Sequence, residues 1–253
     1  MTQTLGLIGS GMIGGTLARL AVAAGLDVVL SNSRGPETLA DLVADLGEHA
    51  RAATPAQAAQ AGDLVVATIP LHAYDRLPAA ALAGKTVIDT MNYYPDRDGR
   101  IADLDTGAVT SSVLVQRHLA DSRVVKAFNN IDFHRLSTLA RPAGAPDRSA
   151  LPIAGDDEAA KAQVARLLDA IGFDAADIGT LAESWRSEPD TPVYVHPYFP
   201  QQRPEGMDDL DETLRWFVET PGVPVPADRV RELAAMAVKG SPRAVAEPGE
   251  GSS

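Results

Sequence analysis

The chain has 253 residues, 45% hydrophobic and 22% charged, long enough to bury a substantial core with no metal or disulfide staple. Cysteine is absent, which excludes disulfides, thiolate metal sites, iron–sulfur clusters and cysteine nucleophiles. The 22 basic residues face 34 acidic ones, and the formal charge of −12 opposes sequence-independent binding to nucleic acid or an anionic membrane, so any anionic ligand must be held by local chemistry.

Glycines interrupt the early apolar stretches, which fall short of the roughly 20 residues that span a bilayer. The expectation is a soluble, cytoplasmic protein acting on a small molecule, with no nucleic acid and no membrane as partner.

Residues 4–8 (TLGLI) form a short apolar run suited to a buried parallel strand, and residues 27–31 (DVVLS) form a second. Between them residues 12–24 are rich in Ala and Leu, with Gly25 where a helix-ending glycine belongs, so the chain opens as strand, helix, strand. Further strands are predicted at 63–69, 85–90 and 123–128, with crossover helices at 55–61 and 73–82. The Pro-rich stretch 141–152 reads as a surface loop and a boundary. A strand at 152–155 and a helix at 157–171 follow, capped by Asp156 or Asp157. Residues 188–204 read as an extended, Pro-flanked aromatic segment, 207–219 and 227–238 as amphipathic helices, and 241–253 as a disordered tail. The pattern implies an α/β fold, a doubly wound parallel sheet of the Rossmann kind with a small C-terminal helical extension. Its expected division is a dinucleotide-binding domain over 1–150, a smaller region over 151–240 completing the substrate cleft, and the tail.

Gly9-Ser10-Gly11-Met12-Ile13-Gly14 follows the first strand and opens the first helix, the context in which this glycine spacing reads as a dinucleotide site. Gly9 permits the turn, Gly11 lets backbone approach a pyrophosphate, and Gly14 lets helix and strand pack closely. An NAD-selective site places a carboxylate near the end of the second strand; here the chain reads Ser31-Asn32-Ser33-Arg34, offering hydroxyls and a guanidinium where a 2′-phosphate would lie. NADP(H) is the expected cofactor.

The ordered set GSGMIG, Ser33-Arg34, Ala67-Thr68-Ile69-Pro70, Lys126-Ala127-Phe128-Asn129, Ile153-Ala154-Gly155-Asp156-Asp157 and Gly179-Thr180-Leu181 resembles the NADP-dependent reductases of the deazaflavin coenzyme F420, over about residues 1–195. The resemblance implies that Ser10 to Ile13 hold the pyrophosphate, Ser33 and Arg34 the 2′-phosphate, and that Ile69, Pro70, His72, Asn92 and Ala127 lie along the nicotinamide half of the cleft. It implies coenzyme F420 as co-substrate and a homodimer. Where family members typically carry Trp-Glu-His after Ile-Pro, this chain has Leu71-His72-Ala73, and it adds helices after about residue 195.

Hydride transfer between a nicotinamide and a flavin-like ring needs little acid–base help, so no catalytic residue is assigned. His72 either contacts cofactor or substrate, or is satisfied locally; Lys126 either donates a proton to a carbonyl or points away. The five histidines lack zinc-motif spacing, and no metal site is expected. The open alternatives are reduction of another small acceptor, such as an imine, a flavin or a metal ion, and a non-catalytic NADP sensor.

Overall fold

The computed structural model describes residues 3–199 and 209–239. The predicted tail, the Pro-rich residues 200–204 and the start of the helix predicted at 207 lie outside the described residues.

Strands β1 (Thr4–Ile8), β2 (Asp27–Ser31), β3 (Ala50–Ala52), β4 (Leu64–Ala67), β5 (Thr86–Asp89) and β6 (Arg123–Lys126) pair in parallel. Strand β7 (Ala150–Gly155) runs antiparallel to β6, and β8 (Asp174–Asp177) follows β7 in parallel, giving one eight-stranded sheet in the order β3-β2-β1-β4-β5-β6-β7-β8. The reversal of strand order between β1 and β4 is the Rossmann switch point, where ligands bind beyond the carboxyl ends of the strands. Strands β4, β5 and β7 are buried at every position, and β4 (LVVA) accordingly reads as an unbroken apolar run.

Helix α1 (Met12–Ala23) links β1 to β2, α2 (Ala40–Leu46) leads to β3, and α3 (Pro55–Ala61) leads to β4 behind a capping box made by Thr54 and Gln57. The helix predicted at 73–82 divides into a 3-10 turn, Leu71–Arg76, and a single turn α4 (Ala79–Leu82), because Pro78 holds Leu77 extended. Short helices α5 (Pro95–Asp98) and α6 (Ala102–Asp105) follow β5, and α7 (Ser111–His118) leads into β6. Helix α8 (Phe133–Thr138) follows β6, and α9 (Glu158–Ala170) begins at Asp157, whose carboxylate accepts from Ala160 N–H at 2.7 Å. Helices α10 (Leu210–Glu219) and α11 (Ala227–Met236) close the described chain.

Three expectations change. Strand β3 is a three-residue edge strand with one buried residue, too short to show periodicity. Strand β7 starts at Ala150, inside the predicted loop, and adds an antiparallel member to the sheet. Residues 188–199 fold as turns rather than an extended arm, with a 3-10 turn at His196–Tyr198, because the buried Tyr198 ring pulls the chain onto β7 and its hydroxyl donates to the Ala150 carbonyl at 2.8 Å.

The β1–α1 turn presses directly on the strand beside it. Gly9 has φ +107°, and a Cβ there would lie 2.1 Å from the Thr68 carbonyl oxygen; one at Gly14 would lie 2.3 Å from the Gly9 carbonyl oxygen. Gly9→Ala therefore combines backbone strain with a clash against backbone that cannot yield, and is expected to lower stability by at least ~2 kcal/mol, read as a lower urea midpoint with unchanged slope.

Candidate functional site

The first half of the site is the amino end of α1. Gly11 caps the helix with no side-chain hydrogen bond, and the first turn holds no acidic residue, so the free N–H groups and the positive helix end stay available. A Cβ at Gly11 would meet nothing within 4 Å, leaving room for a ligand against the backbone. The Ser10 hydroxyl donates to the Ser31 carbonyl at 2.9 Å, which ties the turn to β2 and leaves the Ser10 backbone as its donor toward a ligand. Met12 is 69% exposed over the same opening, and Ile13 is half-buried. These features fit a dinucleotide diphosphate.

Beyond β2, the Asn32 side-chain oxygen accepts from the backbone N–H groups of Arg34 and Gly35 at 2.9 and 3.0 Å, while its amide donates to Thr38. This turn presents Ser33 and Arg34 to solvent, and the Arg34 guanidinium forms no ion pair among the described residues. A free guanidinium beside a hydroxyl, with no carboxylate at the strand end, fits a 2′-phosphate.

The second half lies beyond β4, β5 and β6. Ile69 is half-buried against Gly9 and Pro70 is exposed. His72 is exposed and locally held: its ring Nδ1 lies 3.1 Å from Asp98 Oδ1, and its backbone N–H donates to the same oxygen. Asp98 itself is buried; although burial alone would raise its pKa, hydrogen bonds from Arg97, Tyr94 N–H and His72 outweigh this and hold it down at about 2. Asn92 donates to the Asn129 carbonyl at 2.8 Å and accepts from the Asn129 amide at 3.1 Å, so the two loops are stitched together. Ala127 is fully buried, shaping the crevice floor from beneath, and Phe128 next to it is held at φ +61°.

Lys126 does not point away from the protein, nor does it reach an open cleft. It is 1% exposed, and its Nζ donates to the Met91 carbonyl at 2.5 Å and to Ser111 Oγ at 2.8 Å, with Asp89 Oδ2 at 3.5 Å and Glu188 Oε1 at 3.7 Å. With its donors committed to the chain, it is a structural cation and not the donor to a carbonyl that the sequence left open. Ser111 donates in turn to Glu188 Oε1 at 2.6 Å, and Ser112 to Asp89 Oδ2 at 2.7 Å. Glu188 and Ser111 line a cavity of about 540 Å³ beside the crevice, with Tyr93 and Trp185 among its walls.

Residues 4–93 match the family described as NADP oxidoreductase, coenzyme F420-dependent. Over those residues the chain is similar to that family. The solved structure of the hypothetical protein SMa0349 from Sinorhizobium meliloti is similar at 29% identity and TM-score 0.67, covering 77% of this chain and 93% of that one. A candidate F420-dependent NADP-reductase from Arthrobacter sp. FB24 is similar at 25% identity and TM-score 0.60, covering 72% and 86%. Among curated proteins, the metalloreductase STEAP3 of Rattus norvegicus is 32% identical over 184 residues, 71% of this chain and 34% of its own length. The chain spans less than half the length of the curated relatives it matches. No helix among the described residues is long and apolar enough to cross a membrane.

The family match ends at Tyr93, just where the local sequence stops announcing its role. Asp98, Ser111 and Glu188 were not singled out from sequence: each is an ordinary surface-type residue made significant by partners 26 to 77 positions away. The pKa of Asp98 gives a test. A native carboxyl lowered from 3.8 to about 2 stabilises the fold above about pH 4, and that contribution disappears as pH falls from about 4 to about 2. Asp98→Asn is expected to cost about 1–3 kcal/mol at pH 7 and to approach the parent protein in stability below pH 3, measured as melting temperature against pH; parallel curves would refute the assignment.

Proposed function

We propose that this protein transfers hydride between NADPH and the deazaflavin coenzyme F420. The observation that carries the dinucleotide half is the uncapped, acid-free end of α1 behind an open Gly11, with an Arg34 at the end of β2 that forms no ion pair among the described residues. The deazaflavin half is supported by the family match over residues 4–93 and by the likeness to the Arthrobacter protein.

Bound NADPH supplies a hydride to the deazaflavin ring, with one proton taken up from solvent. The residues supply binding and orientation. The N–H groups at the start of α1 hold the diphosphate, and Ser33 and Arg34 hold the 2′-phosphate, which fixes how far the nicotinamide reaches along the crevice. Ile13 and Ile69 give the ring an apolar face, and the Asn92–Asn129 pair fixes the far wall. Two aromatic systems stacked in such a slot need no general acid, which agrees with the burial of Lys126 and the hold of Asp98 on His72.

Two measurements test the reading. NADPH oxidation, followed at the nicotinamide absorbance, is expected to be rapid with oxidised F420 and slow with a flavin control. NADPH binding without oxidation by F420 would keep the dinucleotide site and overturn the acceptor, directing the search to imines, metal ions or a sensing role. Arg34→Ala is expected to raise the apparent KM for NADPH about 10- to 100-fold, the loss of a charge-assisted phosphate contact of about 1.5–3 kcal/mol, while leaving NADH use unchanged.

A further inference from the structure

The cavity beside the crevice has the size of a small-molecule site, about 540 Å³. At its floor the charges do not balance. Asp89 and Glu188 share a single buried ammonium, Lys126, which lies 3.5 Å from one carboxylate and 3.7 Å from the other. Glu188 directs only Oε1 to this network, accepting from Ser111 at 2.6 Å; its Oε2 has no hydrogen-bond partner among the described residues. Two further carboxylates line the cavity, Asp190 and Asp105, and Asp105 is already engaged by Arg100 at 2.9 Å and by the Tyr93 hydroxyl at 2.7 Å. The walls include Tyr93, Trp185, Leu104 and Pro189, and the Arg186 guanidinium already sits over the Trp185 ring at 4.7 Å. Lys239 at the mouth donates to the Gly107 carbonyl at 3.0 Å.

We infer that this cavity is a binding site for a small organic cation, an ammonium or iminium group carried on an apolar body. The cation would complete the charge at the floor by donating to Glu188 Oε2, and the body would lie between the aromatic and aliphatic walls. An anion of the same shape meets the excess negative charge and is excluded. Lys239 opposes the cation from the mouth.

The test is made on the full chain without NADPH, so its outcome is independent of which acceptor takes the hydride. The chain has two tryptophans, and a Trp216→Phe background leaves Trp185 in the cavity wall as the only indole reporter. Benzylamine, protonated at neutral pH, is titrated beside benzyl alcohol and benzoate at constant ionic strength. Benzylamine is expected to change the Trp185 fluorescence saturably, benzyl alcohol to bind at least about tenfold more weakly, and benzoate not to bind. Glu188→Gln is expected to weaken benzylamine about tenfold, to the level of the alcohol. Lys239→Ala, a change at the cavity mouth that leaves the buried network intact, is expected to tighten benzylamine about twofold to threefold and keeps the test decisive if Glu188→Gln does not fold. Benzoate binding as well as benzylamine, benzylamine that fails to saturate, or indifference of its affinity to both substitutions would each overturn the inference.

Discussion

Lys126 carries its charge at 1% exposure, where an unpaired ion is strongly disfavoured, so its surroundings have little freedom. Its partners come from four places in the chain: Asp89 at the end of β5, the Met91 carbonyl just beyond it, Ser111 at the start of α7 and Glu188 in the turn after residue 187. Moving any of these elements would strand a buried charge. The constraint fixes the carboxyl edge of the sheet, and the Asn92–Asn129 pair, the buried Ala127 and the cavity floor take their positions from it. A buried ion of this kind adds little net stability over an apolar replacement, but it admits few alternative arrangements.

The same economy governs anions. A chain with a formal charge of −12 repels them at long range, yet the end of α1 carries no acid and Arg34 forms no ion pair among the described residues. Attraction arises only within a few ångströms of those groups, from oriented N–H dipoles and one guanidinium, which favours ligands able to use both at once. A nucleotide carrying a diphosphate and a third phosphate meets that requirement.

What could be read from the sequence is what depends on near neighbours. Strands β1 and β2, helix α1 and the glycine turn were legible because glycine spacing and apolar runs encode them locally. Strand β3 was not, since Ala50, Arg51 and Ala52 pair as an edge and show no period. The burial of Lys126 was not legible either: in a strand its direction follows from register, and its partners lie 15 to 62 positions away, as the distances in sequence to Ser111 and Glu188 show. The antiparallel entry of β7 was hidden because an isolated apolar run carries no sign of direction.

The contact of Gly9 with Thr68 has a consequence for how the protein is made. Strand β1 is flanked in the sheet by β2 and β4, and the turn that follows it rests on the residue just after β4, so it takes its final shape only when a segment nearly sixty residues downstream has docked. The finished shape of the turn is thereby confined to chains that have completed a long-range pairing. Any ligand that binds the finished turn and not its unfolded precursors draws the folding equilibrium toward completion through mass action.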